Sequence, residues 1–581
     1  MLIKQLAAHA DGRTDLPAPY YRVRSVRWAI DLAVPPNPRL IDLSTLENKA
    51  GQLLATPYIQ RSGTGSLPFL LTDTLQYVLG VAKDDSDKQL KEARRRNTDY
   101  VKLIQEWAID EPLAEPVVRF FVEGAHRRIS IPETAKPSDV VAIRGEQGWL
   151  HDLPSAITTW GRIVRSRKSS SNGHGICLSC GEEGPLLDTI PEPVKSGAIP
   201  VADGRSRDAQ LVSINKSAQG RGGRIQLVNT PICDTCGSRS MAALNALLAD
   251  PHHHHRDPDS VTTWWLRQAA PISPFASVRD ARPEQVKQII EQVNRPRERR
   301  AAWLRHNQFY AITLSANQSR VVIRDWIDLP LEKVCENIAS WFADHAMADP
   351  WADGIHQVPA WRMASSLGRH DGQAYVKGSA PKDAQRQLIA AALHRTALPH
   401  HLLPRVIQRI RADGHVDLPR TALLRIILVR AFPAFKEILL DNLNPENRHP
   451  GYVSGRLFAV LEDIQRTALV DINTTIADKF FGAAMTRPLP VLTMLRKNAT
   501  GHLRRLRRTN RGAAFALDQR LEEVLANFSP DEGGIPPVLD LPGQGMFVLG
   551  YHQQRAADRA AARAAAATKA ANKAATITES A

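Results

Sequence analysis

Four cysteines in two C-x-x-C pairs are the residues of this chain best suited to chemistry: Cys177 and Cys180 in CLSCGEEG, Cys233 and Cys236 in CDTCGSRS. A two-residue spacer lets both sulfurs of a pair reach one ion, and two such pairs offer the soft ligands that tetrahedral zinc prefers. The glycine behind each second cysteine, Gly181 and Gly237, suits a tight turn around a metal. Four thiolates leave no open position for an activated water, so the spacing predicts a structural Zn2+ rather than a catalytic one. A redox dithiol would be a single C-x-x-C at the end of a strand. A nuclease built on such a metal would need a histidine base beside it, yet Gly181 to Ile232 contains no histidine and His174 stands alone ahead of the first pair.

Other chemical signals are weak. The phosphate-cradling G-x-x-x-x-G-K-[ST], the hydrolase G-x-S-x-G and the zinc-protease H-E-x-x-H are all absent. His252 to His255 read as a solvated loop, and Cys335, between Val334 and Ile338 as apolar neighbours, reads as a core thiol. His370 and Asp371 in GRHDGQ resemble a metal-dependent phosphohydrolase dipeptide but lack the other helix-borne ligands. No catalytic residue is assigned, and the chain is expected not to be an enzyme.

The chain has 581 residues, a formal net charge of +15, and 43% apolar against 23% charged residues. That composition excludes a wholly disordered chain, and the length suggests about two to four domains. A cationic excess of this size attracts polyanions, nucleic acid first. The clearest site is RKNATGHLRRLRRTNR, whose cations Arg496, Lys497, Arg504, Arg505, Arg507 and Arg508 have no acid among them. Leu503 and Leu506 supply a buried face, so the guanidinium groups project from one helix toward phosphates. No membrane partner is expected: the most apolar run, TALLRIILVRAF, carries Arg425 and Arg430. The start MLIKQLAAHADGR reaches charge before a signal core forms, and five cysteines are too few for a secreted disulfide framework, so a cytoplasmic protein is expected.

The elements that must position these groups change character along the chain. YRVRSVRWAIDLAV alternates with Val26, Trp28, Ile30 and Leu32 on one face, predicting a strand whose start, with Arg22 and Arg24, protrudes. RSGTGSLPF is a glycine-bearing loop, and Asp87 to Trp107 has helical spacing with KEARRR as a basic outer face. Residues 166–224 read as loops or flexible basic arms, and FYAITLSANQSRVVIRDW as a hairpin turning at SANQS. Beyond residue 380 four apolar stripes follow, through Leu457, Ile476, Leu495 and Leu517, and from Ala556 an Ala-rich frayed helix or flexible tail. The fold class is therefore α+β: a mixed α/β N-terminal domain with a zinc-knuckle insertion, then an all-α C-terminal bundle. The expected boundaries are 1–165 for the first α/β part, 166–260 for the four-cysteine zinc-knuckle insertion, 261–379 for the rest of that domain, 380–555 for the bundle and 556–581 for the tail.

Several blocks carry a family resemblance: RSGTGSLPFLLTDTLQYVLGV, LVSINKSA, FYAITLSANQSRVVIRDW, NPENRHPGYVSGRLFAVLEDIQ, TIADKFFGAAM and GMFVLGYHQQR. In these blocks, in order over roughly residues 15–555, the chain resembles the large subunit of the type I-C CRISPR Cascade complex. The resemblance implies a non-catalytic subunit of an RNA-guided antiviral complex, which recognises the protospacer-adjacent motif, helps open target double-stranded DNA, stabilises the R-loop and recruits a separate helicase-nuclease. The partners it implies are target duplex and displaced single strand, CRISPR RNA, the backbone and guide-handle-binding subunits, and a small subunit from the same gene. The candidate DNA contacts are then Arg61, Ser62, Thr64 and Ser66, with Gly63 and Gly65 allowing close backbone approach, and an arm holding Lys216, Arg221 and Arg224. Two other readings remain open at this point, a zinc-containing DNA-binding regulator and a metal-dependent nuclease.

Overall fold

The computed structural model describes residues 2–579 apart from 12, 34–37, 62–64, 110, 169–172, 191, 202–207, 318–319, 470–472 and 529–533. The chain is α+β and divides into two compact units, residues 1–256, 260–263 and 312–326 in the first, and 257–259, 264–311 and 327–581 in the second.

In the first unit, α1 (Leu2–Ala10) is followed by a stretch that the alternation of apolar residues predicted as one strand and that forms two. The first, β1 (Tyr21–Val26), pairs antiparallel with β4 (Gln52–Pro57), and β2 (Trp28–Asp31) joins a separate sheet. That sheet runs β3 (Leu40–Asp42), β2, β6 (Val140–Gly145), β5 (Thr72–Thr74), with β2 and β6 parallel and Ile30 beside Ile143. The break falls at Arg27, whose N–H donates to the Val140 carbonyl at 2.9 Å. Gly51, at φ 102°, closes against it; a Cβ there would lie 2.1 Å from the Val26 oxygen. As a result Arg22 and Arg24 do not protrude. Arg22 is 12% exposed, pairs with Asp208 at 3.0 Å and lies over the Tyr58 ring, and Arg24 donates to Thr56 Oγ1 and the Thr72 carbonyl.

Helix α2 (Asp87–Ala108) starts where Ser86 accepts from the Gln89 amide and Asp87 sits at the positive end of the dipole. Its predicted stripe, Tyr100, Leu103, Ile104 and Trp107, is buried against Trp28, Val141 and Trp160, the last on α3 (Pro154–Lys168). The basic outer face is partly neutralised, because Glu92 pairs with both Arg95 and Arg96. A short hairpin, β7 (His174–Ile176) with β8 (Glu183–Pro185), leads through loops to α4 (Asp234–Ala249), which packs on α1. A further sheet has the order β9 (His254–Arg256), β10 (Val261–Leu266), β11 (Gln308–Asn317), β12 (Arg320–Pro330). The expected hairpin is β11–β12; residues 318–319 of its turn lie outside the described part.

The second unit begins its helices with α5 (Leu331–His345), which buries Cys335, whose thiol burial pushes up to about 12 as befits a core residue. The bundle comprises α6 (Leu402–Asp413), α7 (Leu418–Ala431), α8 (Pro450–Ala468), α9 (Ile476–Thr486), α10 (Pro488–Thr509), α11 (Arg511–Leu525) and α12 (Leu541–Glu579). Three of these starts have a side-chain cause: Asp417 caps α7, a Thr475/Asp478 capping box opens α9 and Asn510 caps α11. The apolar run of α7 is buried on all sides. Its Arg425 donates to the carbonyls of Ala343, Ala346 and Leu439, and its Arg430 pairs with Asp344 at 3.0 Å and donates to the Ala391 and Thr396 carbonyls, so both buried charges have protein partners, though one terminal nitrogen of Arg430 is left without one. Among the described residues no helix is long and apolar enough to cross a membrane.

The centre of the bundle is the crossing of α8 with α12. Gly451 and Gly455 of α8 meet Gly543, Phe547 and Tyr551 of α12, backbone on backbone. Phe458, Phe481, Phe547 and Tyr551 fill the remaining space, with centroids 5.6 Å apart for Phe458–Phe481 and 4.9 Å for Phe481–Tyr551. Buried polar groups join the helices: Tyr452 to Gln553 at 2.6 Å, Arg456 to Gln554 at 3.0 Å and Tyr551 to Glu462 at 2.7 Å. The Ala-rich end, expected as a frayed or flexible tail, continues α12. Alanine has the highest helix propensity, and two side chains anchor the segment: Arg559 over the Trp351 ring at 3.5 Å and Arg563 on Asp353 at 2.8 Å.

Candidate metal centre and nucleic-acid surfaces

The four paired cysteines converge although residues 181–232 separate the pairs: their sulfurs all lie within 4.8 Å of one another. The first pair sits in the turn between β7 and β8, where Gly181 takes φ 85° and its N–H donates to the Cys177 carbonyl at 2.9 Å. The second pair is built differently from the expected knuckle. Cys233 is the N-cap residue of α4 and Cys236 lies in its first turn, so Gly237 is helical and bonds back to the Cys233 carbonyl at 3.0 Å. A helix N-terminus supplies positive potential that a glycine turn would not, while burial pushes the Cys233 and Cys236 thiols up. Leu178 and Leu187 stitch the two halves together through the carbonyls of Pro231 and Ile232, each at 2.9 Å.

The donor set fits a tetrahedral thiolate metal. Metal–sulfur bonds of about 2.3 Å put sulfurs about 3.8 Å apart, and Cys180 and Cys233 are 3.9 Å apart. Burial pushes the Cys177 thiol up, but amide hydrogen bonds around Cys233, Cys180 and Ser179 outweigh it and draw the thiol down to about 7. Cys177 and Cys236 are buried while Cys180 is exposed. Among the described residues this is the one group of three or more His, Cys, Asp or Glu that could hold a metal. His370 does not gather ligands: it stacks on His415 at 3.7 Å, and Asp371 caps its own turn through the amides of Gln373 and Ala374.

The RSGTGSLPF loop is closed at its base by a buried acid that its sequence does not announce. Asp73 is fully buried, accepts from the amides of Phe69 and Thr74 at 2.8 and 2.7 Å, and pairs with Arg61. The Arg61 guanidinium lies 3.9 Å from the Phe69 ring centre and 4.2 Å from that of Tyr77, and its Nε donates to the Leu67 carbonyl at 2.9 Å. Arg61 is thus the clasp of the loop, held from two sides. Arg167 donates to the Pro68 carbonyl at 3.1 Å, and Arg24, lowered to about 10 by burial, lies under Phe69. Of the other loop candidates, Ser62, Gly63 and Thr64 lie outside the described residues; Gly65 is exposed, and the Ser66 hydroxyl is enclosed without a hydrogen-bond partner. Arg22, Arg24, Arg167 and Asp73 were not singled out as site residues; for the two strand arginines the only sequence signal was their shared parity in the strand.

The KSAQGRGGR arm, expected to be flexible, is a tight double turn. Asn229 pins it, accepting from the Arg221 amide and donating to the Arg224 carbonyl, both at 2.8 Å. Gly222 and Gly223 take φ 62° and 73°, and a Cβ at Gly220 would meet the Arg224 oxygen at 1.5 Å. Its base is tied to the metal region by the Leu227 amide on the Asp188 carbonyl at 3.2 Å. Lys216, Arg221 and Arg224 are exposed and have no acid partner among the described residues. On α10, Leu495, Ala499, Leu503 and Leu506 are buried as predicted, while Arg496, Lys497, Arg504, Arg505, Arg507 and Arg508 are exposed. Arg507 pairs with Asp518 at 2.8 Å; the other five have no acid partner among the described residues.

Residues 3–558 match the family model described as CRISPR-associated protein (Cas_Csd1). The chain belongs to that family. No curated protein matches it. As a Cas_Csd1 member it is a CRISPR-associated protein whose match takes in the cysteine cluster, both basic surfaces and the α8–α12 crossing.

Proposed function

We propose that this Cas_Csd1 protein is the large subunit of a type I-C Cascade complex, working in the cytoplasm on target DNA selected by a CRISPR RNA. The observation that carries this reading is the row of exposed cations on α10, five of the six without an acid partner among the described residues, in a chain that belongs to a CRISPR-associated family. Phosphates are the counter-charges such a row lacks. In this reading the 61–66 loop, set on its Arg61–Asp73 clasp, and the Lys216–Arg224 turn read and open the duplex beside the protospacer-adjacent motif, and α10 tracks the displaced strand. The chain performs no hydrolysis of its own. It recruits a helicase-nuclease, and it joins the backbone subunits, the guide-handle subunit and a small subunit made from the same gene. The metal is zinc, whose four thiolate ligands would leave it a structural cross-link only.

Charge reversal tests the α10 assignment. The variant Arg504→Glu, Arg505→Glu, Arg508→Glu changes only exposed side chains, so the helix is retained. In the reconstituted complex it should bind target DNA at least tenfold more weakly whatever the flanking sequence. The slope of log affinity against log salt should fall by about two to three, roughly one per lost phosphate contact. Wild-type affinity and slope together would remove α10 as a DNA track.

A further inference from the structure

Within the second unit a cavity of ≈ 800 Å³ opens between α6, α9 and the first turns of α10 and α12. None of its lining residues belongs to the metal cluster or to the basic surfaces described above. Small-molecule sites measure about 300–1,000 Å³ and pair a largely apolar lining with a few placed polar groups, and this cavity has both properties. Pro404 and Ile407 of α6, Pro490 and Val491 of α10 and Leu541 of α12 give it aliphatic walls. The helix ends beside it are not what makes it a site. Pro488 and Pro490 have no N–H, the Leu489 amide goes to the Pro536 carbonyl at 3.1 Å, and Asp540 takes the amides of Gly543 and Gln544, both at 2.8 Å.

Three polar features define the ligand. Gln544 lines the cavity and is only 8% exposed. Its Nε2 donates to the Leu539 carbonyl at 3.0 Å, which fixes the orientation of the amide and leaves Oε1 as an enclosed acceptor without a partner among the described residues. Buried acceptors in folded proteins are paired, so this oxygen calls for an N–H from whatever fills the cavity. The enclosed donors of the lining are spent, Gln544 Nε2 on Leu539 and the Thr486 hydroxyl on the Gly482 carbonyl at 2.9 Å. A peptide group brings its N–H together with a carbonyl that would then go unpaired, and so do guanine, cytosine, thymine and uracil; adenine is the standard base with an amino group and no carbonyl. The third feature is charge. Arg411 and Arg487 line the same cavity, no acid is among its lining residues, and neither arginine has an acid partner among the described residues. Arg411 comes from α6 with its stem beside Gly482, and Arg487 stands at the junction of α9 and α10. Two guanidinium forks on different elements suit a phosphoryl group, whose oxygens point in several directions, better than a planar carboxylate.

We propose that this cavity binds an adenine nucleotide, with the base between the aliphatic walls, its amino group on Gln544 Oε1 and its phosphate on Arg411 and Arg487. The nucleotide is either free or one residue of a nucleic-acid strand, and the inference does not rest on the Cascade reading. The test titrates the full-length protein with AMP by calorimetry at low salt. Wild type should show one saturable site. IMP, which has the same ring shape but a carbonyl in place of the amino group, should bind about tenfold more weakly or worse. Ala483→Trp, at an exposed position of the cavity wall, should abolish AMP binding by filling the space, and the double variant Arg411→Gln, Arg487→Gln should weaken it about tenfold or more. The surface variant Arg496→Gln, Arg508→Gln should bind AMP as wild type does, and circular dichroism checks the folding of each variant. The source is read in a second arm that compares oligodeoxyadenosine with oligothymidine at one salt concentration. A preference for oligodeoxyadenosine that Ala483→Trp removes identifies an adenine of a strand, and AMP binding without that preference identifies the free nucleotide. The site is overturned by wild type that shows no saturable AMP binding, by equal affinity for AMP and IMP, or by a folded Ala483→Trp protein that binds AMP as wild type does. A complex that selects no flanking motif defeats the Cascade reading and leaves the AMP titration to decide the cavity.

Discussion

Replacing Gly455 by alanine is expected to destabilise the C-terminal bundle by about 3 kcal/mol or more, lowering its melting temperature by roughly 5–10 °C. A Cβ at that position would stand 1.9 Å from the Phe547 oxygen and 2.9 Å from the Tyr551 nitrogen, backbone atoms of α12 that cannot turn aside as a side chain could. Gly550 faces the same seam from the other helix, with the Tyr452 oxygen at 2.1 Å, and Gly550→Ala should act alike. Separating the helices enough to admit a methyl group also stretches the Tyr452–Gln553, Arg456–Gln554 and Tyr551–Glu462 bonds, all buried, so lost polar contacts add to the steric term. The control is Gly501→Ala on α10, where nothing lies within 4 Å; there the change should stabilise by about 0.5–1 kcal/mol. Thermal unfolding of the three variants reads the opposite signs directly, and a Gly455→Ala protein as stable as wild type would contradict the crossing.

The second large effect is expected on metal removal. Structural zinc sites contribute about 10–16 kcal/mol of apparent binding free energy at neutral pH in small domains, and here the metal would join a hairpin to a helix start across a long loop-rich interval. Chelation, or the change of all four cysteines to serine, should abolish the binding of one zinc per chain and strip amide hydrogen-exchange protection from residues 173–188 and 226–240. Helix α2 should keep its protection, since its core of Tyr100, Ile104, Trp107 and Trp160 does not include the cluster. Because the Lys216–Arg224 turn is tied to this region through Leu227 and Asp188, motif selection should weaken with it. Undiminished exchange protection and unchanged motif selection in a folded quadruple variant would remove the cluster from both roles.

Which features were legible in the sequence follows from the range of the interactions that make them. The helical stripes were readable because residues three and four apart share a face whatever surrounds them, and Leu495, Ala499, Leu503 and Leu506 are buried in that order. The cysteine cluster was readable because ligand type and two-residue spacing carry the chemistry. What could not be read depends on distant partners. Arg22 is covered because Asp208 comes to it from 186 positions away, and the strand breaks at Arg27 because β6 claims its amide. Arg61 is engaged by Asp73 rather than free, and the second cysteine pair is a helix start although its residues match the first pair's pattern. The basic arm looked flexible by composition, and one asparagine outside it, Asn229, gives it a fixed shape.

The central claim is that this Cas_Csd1 protein recognises target DNA within an RNA-guided complex. Gel-shift binding by the reconstituted complex, with a CRISPR RNA and a library of duplexes that vary only beside the matched target, tests it most directly. The complex should select a short flanking motif, selection should be lost when this subunit is omitted, and the bound DNA should stay uncut until a helicase-nuclease is added. Binding that ignores the flanking sequence, or selection that persists without this subunit, would contradict it.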